Sequence, residues 1–376
     1  MKIAIEAQRL FRPKKHGLDV VAYELLRRLP AAGDANDYHV LVKNDEDHCL
    51  ENTTGRTVHY IKSAPYPVWE QVSLPAYCKK LKPDVLHCTA NTAPVKISVP
   101  LIITIHDVLY LETSYLKAGG SWYQRLGNTY RSLIVPAASK NAAQIITVSN
   151  FQKDTIASKL HIDPAKIEVV HNGADERFFV QHPPAAINEV LNSYGLKPGY
   201  IFFLGNTEPR KNTPGVLHAY NILKQHVIDA PKLLIKGLTK DYITKMLKDN
   251  NLSHLMPSIE LAPYFSYNDL PFIYQGASML WFPSFSEGFG LPIVEAMAGG
   301  VPVITSSTSC MPEIAGDAAC LIDPSQPETI ALAAAELLEN ASLRNTIVAK
   351  GLLRAANFTW GNAVKKLLDC YAKALK

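Results

Sequence analysis

What most constrains the fold of this chain is an alternation of short β-rich runs with helical periods that is dealt out twice. The first series places β-rich runs at residues 2–7, 39–43, 85–88, 101–106, 145–148 and 167–170, with helical periods such as 20–29 between them. A second series follows at 200–204, 232–236, 259–261, 279–282, 301–305 and 319–322. Strand followed by helix, repeated, predicts an α/β fold with parallel sheets covered on both faces. At roughly 100 to 200 residues per domain, a chain of 376 residues should hold two such sheets, in domains at 1–182 and 183–360. Pro183-Pro184 is expected to break any helix and so to mark the linker. Residues 361–376 carry Ala363, Val364, Leu367, Leu368, Tyr371 and Leu375 at helical spacing, an apolar stripe that could pack back on the first domain.

Composition narrows the class of protein. With 47% hydrophobic and 19% charged residues the chain can close sizeable cores, which excludes disorder or a fibrous rod. No apolar stretch approaches the roughly eighteen residues of a membrane span. Glu6, Gln8 and Arg9 interrupt the first apolar residues too early for a signal peptide, so a cytoplasmic location is expected. Six cysteines without a C-x-x-C spacing point to neither a zinc site nor a disulfide framework. The net charge of +4 lies in the first half: residues 1–180 hold 22 Lys/Arg against 18 Asp/Glu, leaving 16 of each beyond. That excess is too small for a nucleic-acid partner and suits an acidic surface or acceptor. Asp45-Glu46-Asp47 has the D-x-D form of a manganese site, but among Asn44 and His48 it reads as a solvated loop. With no other ligand cluster, no metal or other cofactor is expected.

In open α/β sheets, ligands bind beyond the carboxyl ends of the strands. The densest such turn is Ser284-Phe285-Ser286-Glu287-Gly288-Phe289-Gly290-Leu291-Pro292-Ile293-Val294-Glu295-Ala296-Met297. Two glycines free the backbone for close approach, Pro292 suits the first turn of a helix, and the helix N-terminus favours a phosphate. Glu287 in the loop and Glu295, placed in the first turn, can accept hydrogen bonds from sugar or ribose hydroxyls. A dinucleotide turn fits less well, because Ile293 stands where the third glycine of G-x-G-x-x-G belongs.

This segment resembles the signature of the retaining glycosyltransferases of family 4, with its two glutamates separated by seven residues. Ala298-Gly299-Gly300-Val301-Pro302-Val303-Ile304, Pro312-Glu313 and Asp317-Ala318-Ala319 extend the resemblance. Val148-Ser149-Asn150, His171-Asn172-Gly173-Ala174-Asp175 and the first glycine turn spread it over nearly the whole chain. The resemblance implies a GT-B architecture, two Rossmann-like domains facing a central cleft, with a nucleoside-diphosphate sugar held mainly by the second. It implies roles for Glu287, Gly288, Phe289, Gly290 and Leu291 at the donor sugar and for Glu295 at the ribose.

Three further turns complete the expected site. After the strand at 200–204, Gly205-Asn206-Thr207-Glu208-Pro209-Arg210-Lys211-Asn212 offers cations that would stabilise a departing diphosphate more in the transition state than in the ground state. Lys211 resembles the family's phosphate lysine. Asn206 stands where the family often has arginine, so Arg210 would have to turn inward to restore that charge. His106-Asp107 ends a buried strand and resembles the family's His-Asp, which implies that His106 orients the donor sugar, with Asp107 supporting it or touching the acceptor. In the first strand-to-helix connection Gly17 is the nearest match to the family's glycine turn, amid Arg12, Lys14, Lys15 and His16. Lys117, Trp122, Tyr123, Arg125 and Arg131 mix aromatic and basic types in a way compatible with a membrane surface.

The expected function is a metal-independent retaining glycosyltransferase acting by front-face displacement in cell-surface polysaccharide synthesis. The wording of 208–212 and Trp69-Glu70-Gln71 resembles bacterial mannosyltransferases. GDP-mannose is therefore the first donor expected, with a UDP-sugar next, and the acceptor is a glycan or lipid-linked glycan met at the inner membrane face. The alternatives are a nucleotide-sugar epimerase or hydrolase of the same fold, or a non-catalytic sugar-nucleotide-binding subunit.

Overall fold

A computed structural model describes residues 1–13, 15, 17–31, 33–62, 64–111 and 122–374, excepting the side chains of 122–125. Lys14, His16, Lys117 and Leu375, and the side chains of Trp122, Tyr123 and Arg125, lie outside that description. The chain forms two compact units, one of Met1–Asn172 with Trp360–Lys376, the other of Gly173–Thr359.

The first unit is built on seven parallel strands: β1 (Lys2–Glu6), β2 (Asp37–Lys43), β3 (Arg56–Ile61), β4 (Val85–Cys88), β5 (Leu101–Thr104), β6 (Gln144–Thr147) and β7 (Ile167–Val169). Their order is β3-β2-β1-β4-β5-β6-β7, so the direction of winding reverses between β1 and β4. Every residue of β4, β5 and β6 is buried, as two-faced coverage by helices requires. β3 was not anticipated from the sequence. It lies at the sheet edge and alternates buried and part-exposed residues, so it lacks the continuous apolar run that marks the central strands.

The second unit repeats the plan with β8 (Tyr200–Leu204), β9 (Leu233–Lys236), β10 (Ile259–Leu261), β11 (Ala277–Phe282), β12 (Val303–Ser306) and β13 (Cys320–Ile322), all parallel, in the order β10-β9-β8-β11-β12-β13. Its reversal falls between β8 and β11, which pair with Phe203 opposite Trp281 and a register shift between Ala277 and Met279. Trp281 and Tyr220 are fully buried in the core between this sheet and its helices. Pro183-Pro184 does not interrupt a helix. Pro183 caps and Pro184 begins the helix Pro184–Ser193, because a missing N–H costs nothing in a first helical turn.

The last helix, Trp360–Lys373, belongs to the first unit. It buries Trp360, Ala363, Val364, Leu367 and Tyr371, and its Tyr371 hydroxyl meets His87 Nδ1 of β4 at 2.8 Å. Among the described residues no helix is long and apolar enough to cross a membrane.

Candidate functional site

In the second unit, the turns leaving β8 and β11 meet at the reversal point of the sheet. Pro209–Lys211 forms a single 3-10 turn, ended by Asn212 in the left-handed region at φ 57°. Asn212 is buried and its Nδ2 donates to Pro283 O at 3.2 Å and Pro324 O at 2.6 Å, while Phe285 N–H donates to Arg210 O at 2.7 Å. These bonds lace the cation turn to the glycine loop. The result is a compact ion cluster: Lys211 Nζ lies 2.6 Å from Glu287 Oε1, and Arg210 Nη1 lies 2.6 Å from Glu287 Oε2. Lys211 Nζ also stands 4.8 Å from the centre of the Phe282 ring.

Glu287 is 8% exposed. Burial by itself would raise its carboxyl pKa, but Lys211, Arg210 and a hydrogen bond with Ser284 outweigh it and hold the group below the usual carboxylate range. Its backbone is fixed from the next strand connection, with N–H donating to Ser309 Oγ at 3.2 Å and Ser309 Oγ donating to the carbonyl at 3.0 Å. Nothing in the spacing of the sequence singled out Ser309 or Asn212 as supports of this loop. A positive φ at both is the feature that lets them fold back.

Gly290 takes φ +93° and caps the helix Leu291–Ala298, with Pro292 in its first turn. Phe289 turns its ring into the unit's interior, edge-on to Phe358 at 5.7 Å. Glu295 is the fifth residue of this helix and so falls in the second turn, not the first as the sequence suggested. The helix starts at Leu291, one residue ahead of Pro292, which places Glu295 four residues beyond its first. Glu295 Oε2 accepts from the Tyr274 hydroxyl at 2.7 Å, and its charge faces Lys236, whose pKa is lowered chiefly by burial. Asn206, in place of a cation, uses its Oδ1 to accept the Glu208 N–H at 3.1 Å, and Arg210 is directed at Glu287 and at Ser286 O.

In the first unit β5 ends at Thr104, so His106 occupies the turn beyond it rather than the strand. His106 is 4% exposed; its N–H donates to Asn91 Oδ1 at 2.7 Å and its Nε2 pairs with Thr89 O at 3.0 Å. A carbonyl partner makes Nε2 a protonated nitrogen, and burial lowers the ring's pKa against the pull of Thr89 O and Asp107. Asp107 accepts from Leu109 N–H at 3.2 Å. Gly17 opens the helix Gly17–Arg27, and a Cβ there would meet nothing within 4 Å. Of the D-x-D triplet, Asp47 is paired with Lys15.

Comparison with known proteins gives a consistent family. Residues 16–178 match the model of Glycosyltransferase Family 4 and residues 188–353 that of Glycosyl transferases group 1. The O-antigen chain mannosyltransferase B of Escherichia coli is 34% identical over 234 residues, 61% of this chain and 61% of the relative. The O-antigen chain mannosyltransferase RfbU of Salmonella typhimurium is 27% identical over 233 residues, 60% of this chain and 59% of the relative. The match thus spans about three fifths of each relative's length. Among solved structures, Alr3699/HepE of Anabaena in complex with UDP and glucose superposes with a TM-score of 0.74 at 17% identity, covering 99% of both chains. The two Rossmann-like parallel sheets are those of the GT-B fold.

Proposed function

We propose, from the premise that this chain belongs to the glycosyltransferases, with a Family 4 domain followed by a group 1 domain, that it transfers a hexose from a nucleoside-diphosphate sugar to a glycan hydroxyl with retention. The observation that carries this is the ion cluster at the reversal point of the second sheet, where Lys211 and Arg210 converge on one buried carboxylate. Lys211 is held in place against Glu287, and Arg210 against both Glu287 and Glu208, so the two cations are fixed before an anionic group arrives, and a leaving diphosphate gains charge as the glycosidic bond breaks. Glu287, kept ionised by the same cations, remains an acceptor for sugar hydroxyls, with the Gly288–Gly290 backbone beside it. Glu295 takes the ribose hydroxyls. Arg210 provides the positive charge that Asn206 does not. His106, with Asp107 and Gly17, is assigned to the sugar on family resemblance.

Mannose from GDP-mannose is the proposed donor group, supported by two mannosyltransferase relatives; the UDP complex of the Anabaena structure keeps a UDP-sugar as the competing donor. The product would be a cell-surface polysaccharide of the O-antigen kind. Front-face displacement, in which the departing phosphate helps deprotonate the acceptor hydroxyl, needs no protein nucleophile. Lys211→Ala should lower turnover of GDP-mannose by roughly 10² to 10³ with the fold intact by circular dichroism. Wild-type turnover in that variant would remove Lys211 from the site.

A further inference from the structure

The second unit's sheet has two edges, and they are finished differently. At one edge lies β10, whose middle residue Glu260 is ion-paired with Lys232 at 2.5 Å, and charge of that kind discourages another strand from joining. At the other lies β13, whose middle residue is Leu321, 41% exposed. No strand among the described residues pairs with the outer side of β13. Ile322 O accepts the Ser307 N–H at 2.7 Å on the β12 side. Successive residues of a strand turn their backbone groups to opposite sides, so the N–H and C=O of Leu321 point outward.

A groove of about 670 Å³ beside this edge is lined by β13 and by the helix Pro327–Glu339, and it shares no lining residue with the cation turn at 205–212 or the glycine loop at 284–297. Leu332 of that helix lines it and is 64% exposed, so each wall holds a large apolar side chain in solvent. An apolar surface rimmed by polar groups is characteristic of an interaction site. The rim here has one sign: Asp323, Glu336 and Glu339 line the groove, and no Lys or Arg does. Hydrogen bonds from the Ser325 hydroxyl and N–H hold Asp323 below its usual pKa. Glu336 stands near enough to the strand to add to the effect of burial in raising the Cys320 thiol's pKa.

A second copy of the chain, meeting this one edge to edge about a twofold axis, would set Asp323, Glu336 and Glu339 against their own copies, and like charges oppose pairing. An extended segment of opposite charge answers every feature of the edge. Its backbone takes the outward N–H and C=O of Leu321, its apolar side chains cover Leu321 and Leu332, and its cations meet the three carboxylates.

We propose that the β13 edge is a docking surface for a partner protein, which adds a short extended segment of alternating basic and apolar residues as a further strand of the second sheet. The surface belongs to the second unit alone and is independent of the transfer reaction.

The test is fluorescence anisotropy of the full chain with a labelled hexapeptide alternating lysine and valine. This peptide should bind the wild type, and should bind Glu336→Lys/Glu339→Lys and Leu332→Lys each about tenfold more weakly. These three side chains are exposed, so both variants should melt at the wild-type temperature. The same hexapeptide N-methylated at alternate residues keeps its side chains but loses the strand's hydrogen bonds, and should bind about tenfold more weakly, as should a hexapeptide alternating lysine and serine. Absence of binding to the wild type, or equal binding to either variant, overturns the proposal. Equal binding of the N-methylated or the serine peptide does so too, because the attraction would then be charge without strand addition or apolar contact. Concentration-dependent dimerisation in analytical ultracentrifugation that Leu321→Lys abolishes would assign the edge to a second copy instead and likewise overturn it.

Discussion

Two buried carboxylates are tuned in opposite directions. Glu287 is held below its usual pKa by Lys211 and Arg210 despite burial. Its charge therefore adds stability that is present above the unfolded carboxylate pKa of about 4.3 and is lost as pH falls through the lower folded value. Glu6 is pushed up to about 7, first by burial and also by Glu70, against the pull of the Gln8 N–H and Arg9. Its folded form holds a proton that the unfolded form has released, so its contribution falls as pH rises from about 4.5 to 7. Tyr66 and Cys88 also feel its charge but titrate well above that window. Urea denaturation across pH should show Glu6→Gln gaining on the wild type between pH 5 and 8, by about 3 kcal/mol at most. Glu287→Gln should lose to it above pH 5, with the gap closing toward pH 3. A pH-independent difference for Glu6→Gln would mean that this carboxyl is not perturbed.

At the scale of elements, the second unit's site depends on turns that only small or left-handed residues can make. Gly237, after β9, has φ +95°, and a Cβ there would stand 2.5 Å from Gly205 O in the turn after β8. Neither the conformation nor the distance tolerates a side chain. Gly237→Ala should destabilise the second unit by about 2 kcal/mol in urea melts and weaken donor turnover, since Gly205 begins the segment that carries Lys211. At Gly215 a Cβ would fall 2.3 Å from Asn212 Oδ1 and displace the side chain that ties the cation turn to Pro283 and Pro324. Sequence spacing identified the segments that meet here, and these contacts explain why they can meet.

At the scale of the whole molecule, the first unit is discontinuous: its final helix arrives after the entire second unit has been made. Leu367 is 2% exposed, and His87 and Tyr371 are bonded across 284 positions of sequence. Leu367→Ala should cost the first unit about 2 to 5 kcal/mol, seen as an earlier first phase in a denaturation curve that two units need not cross in one step. An unchanged curve would show that the helix contributes little to that unit's stability.

The order of strands and helices, the duplication, and the glycine loop with its following helix were legible in the residues themselves, because periodicity and turn chemistry are properties of consecutive positions. The edge strand Arg56–Ile61, the turn occupied by Glu295 and the start of a helix at Pro184 were not. Their apolar signal is interrupted, or depends on which residue serves as the cap. Tertiary structure alone decided that Arg210 and Lys211 share Glu287, that Tyr274 takes Glu295, and that Leu321 and Leu332 line one groove at the edge of the second sheet. Ion pairing and burial belong to neighbours in space, and a parallel sheet brings together strand ends that the chain keeps tens of residues apart.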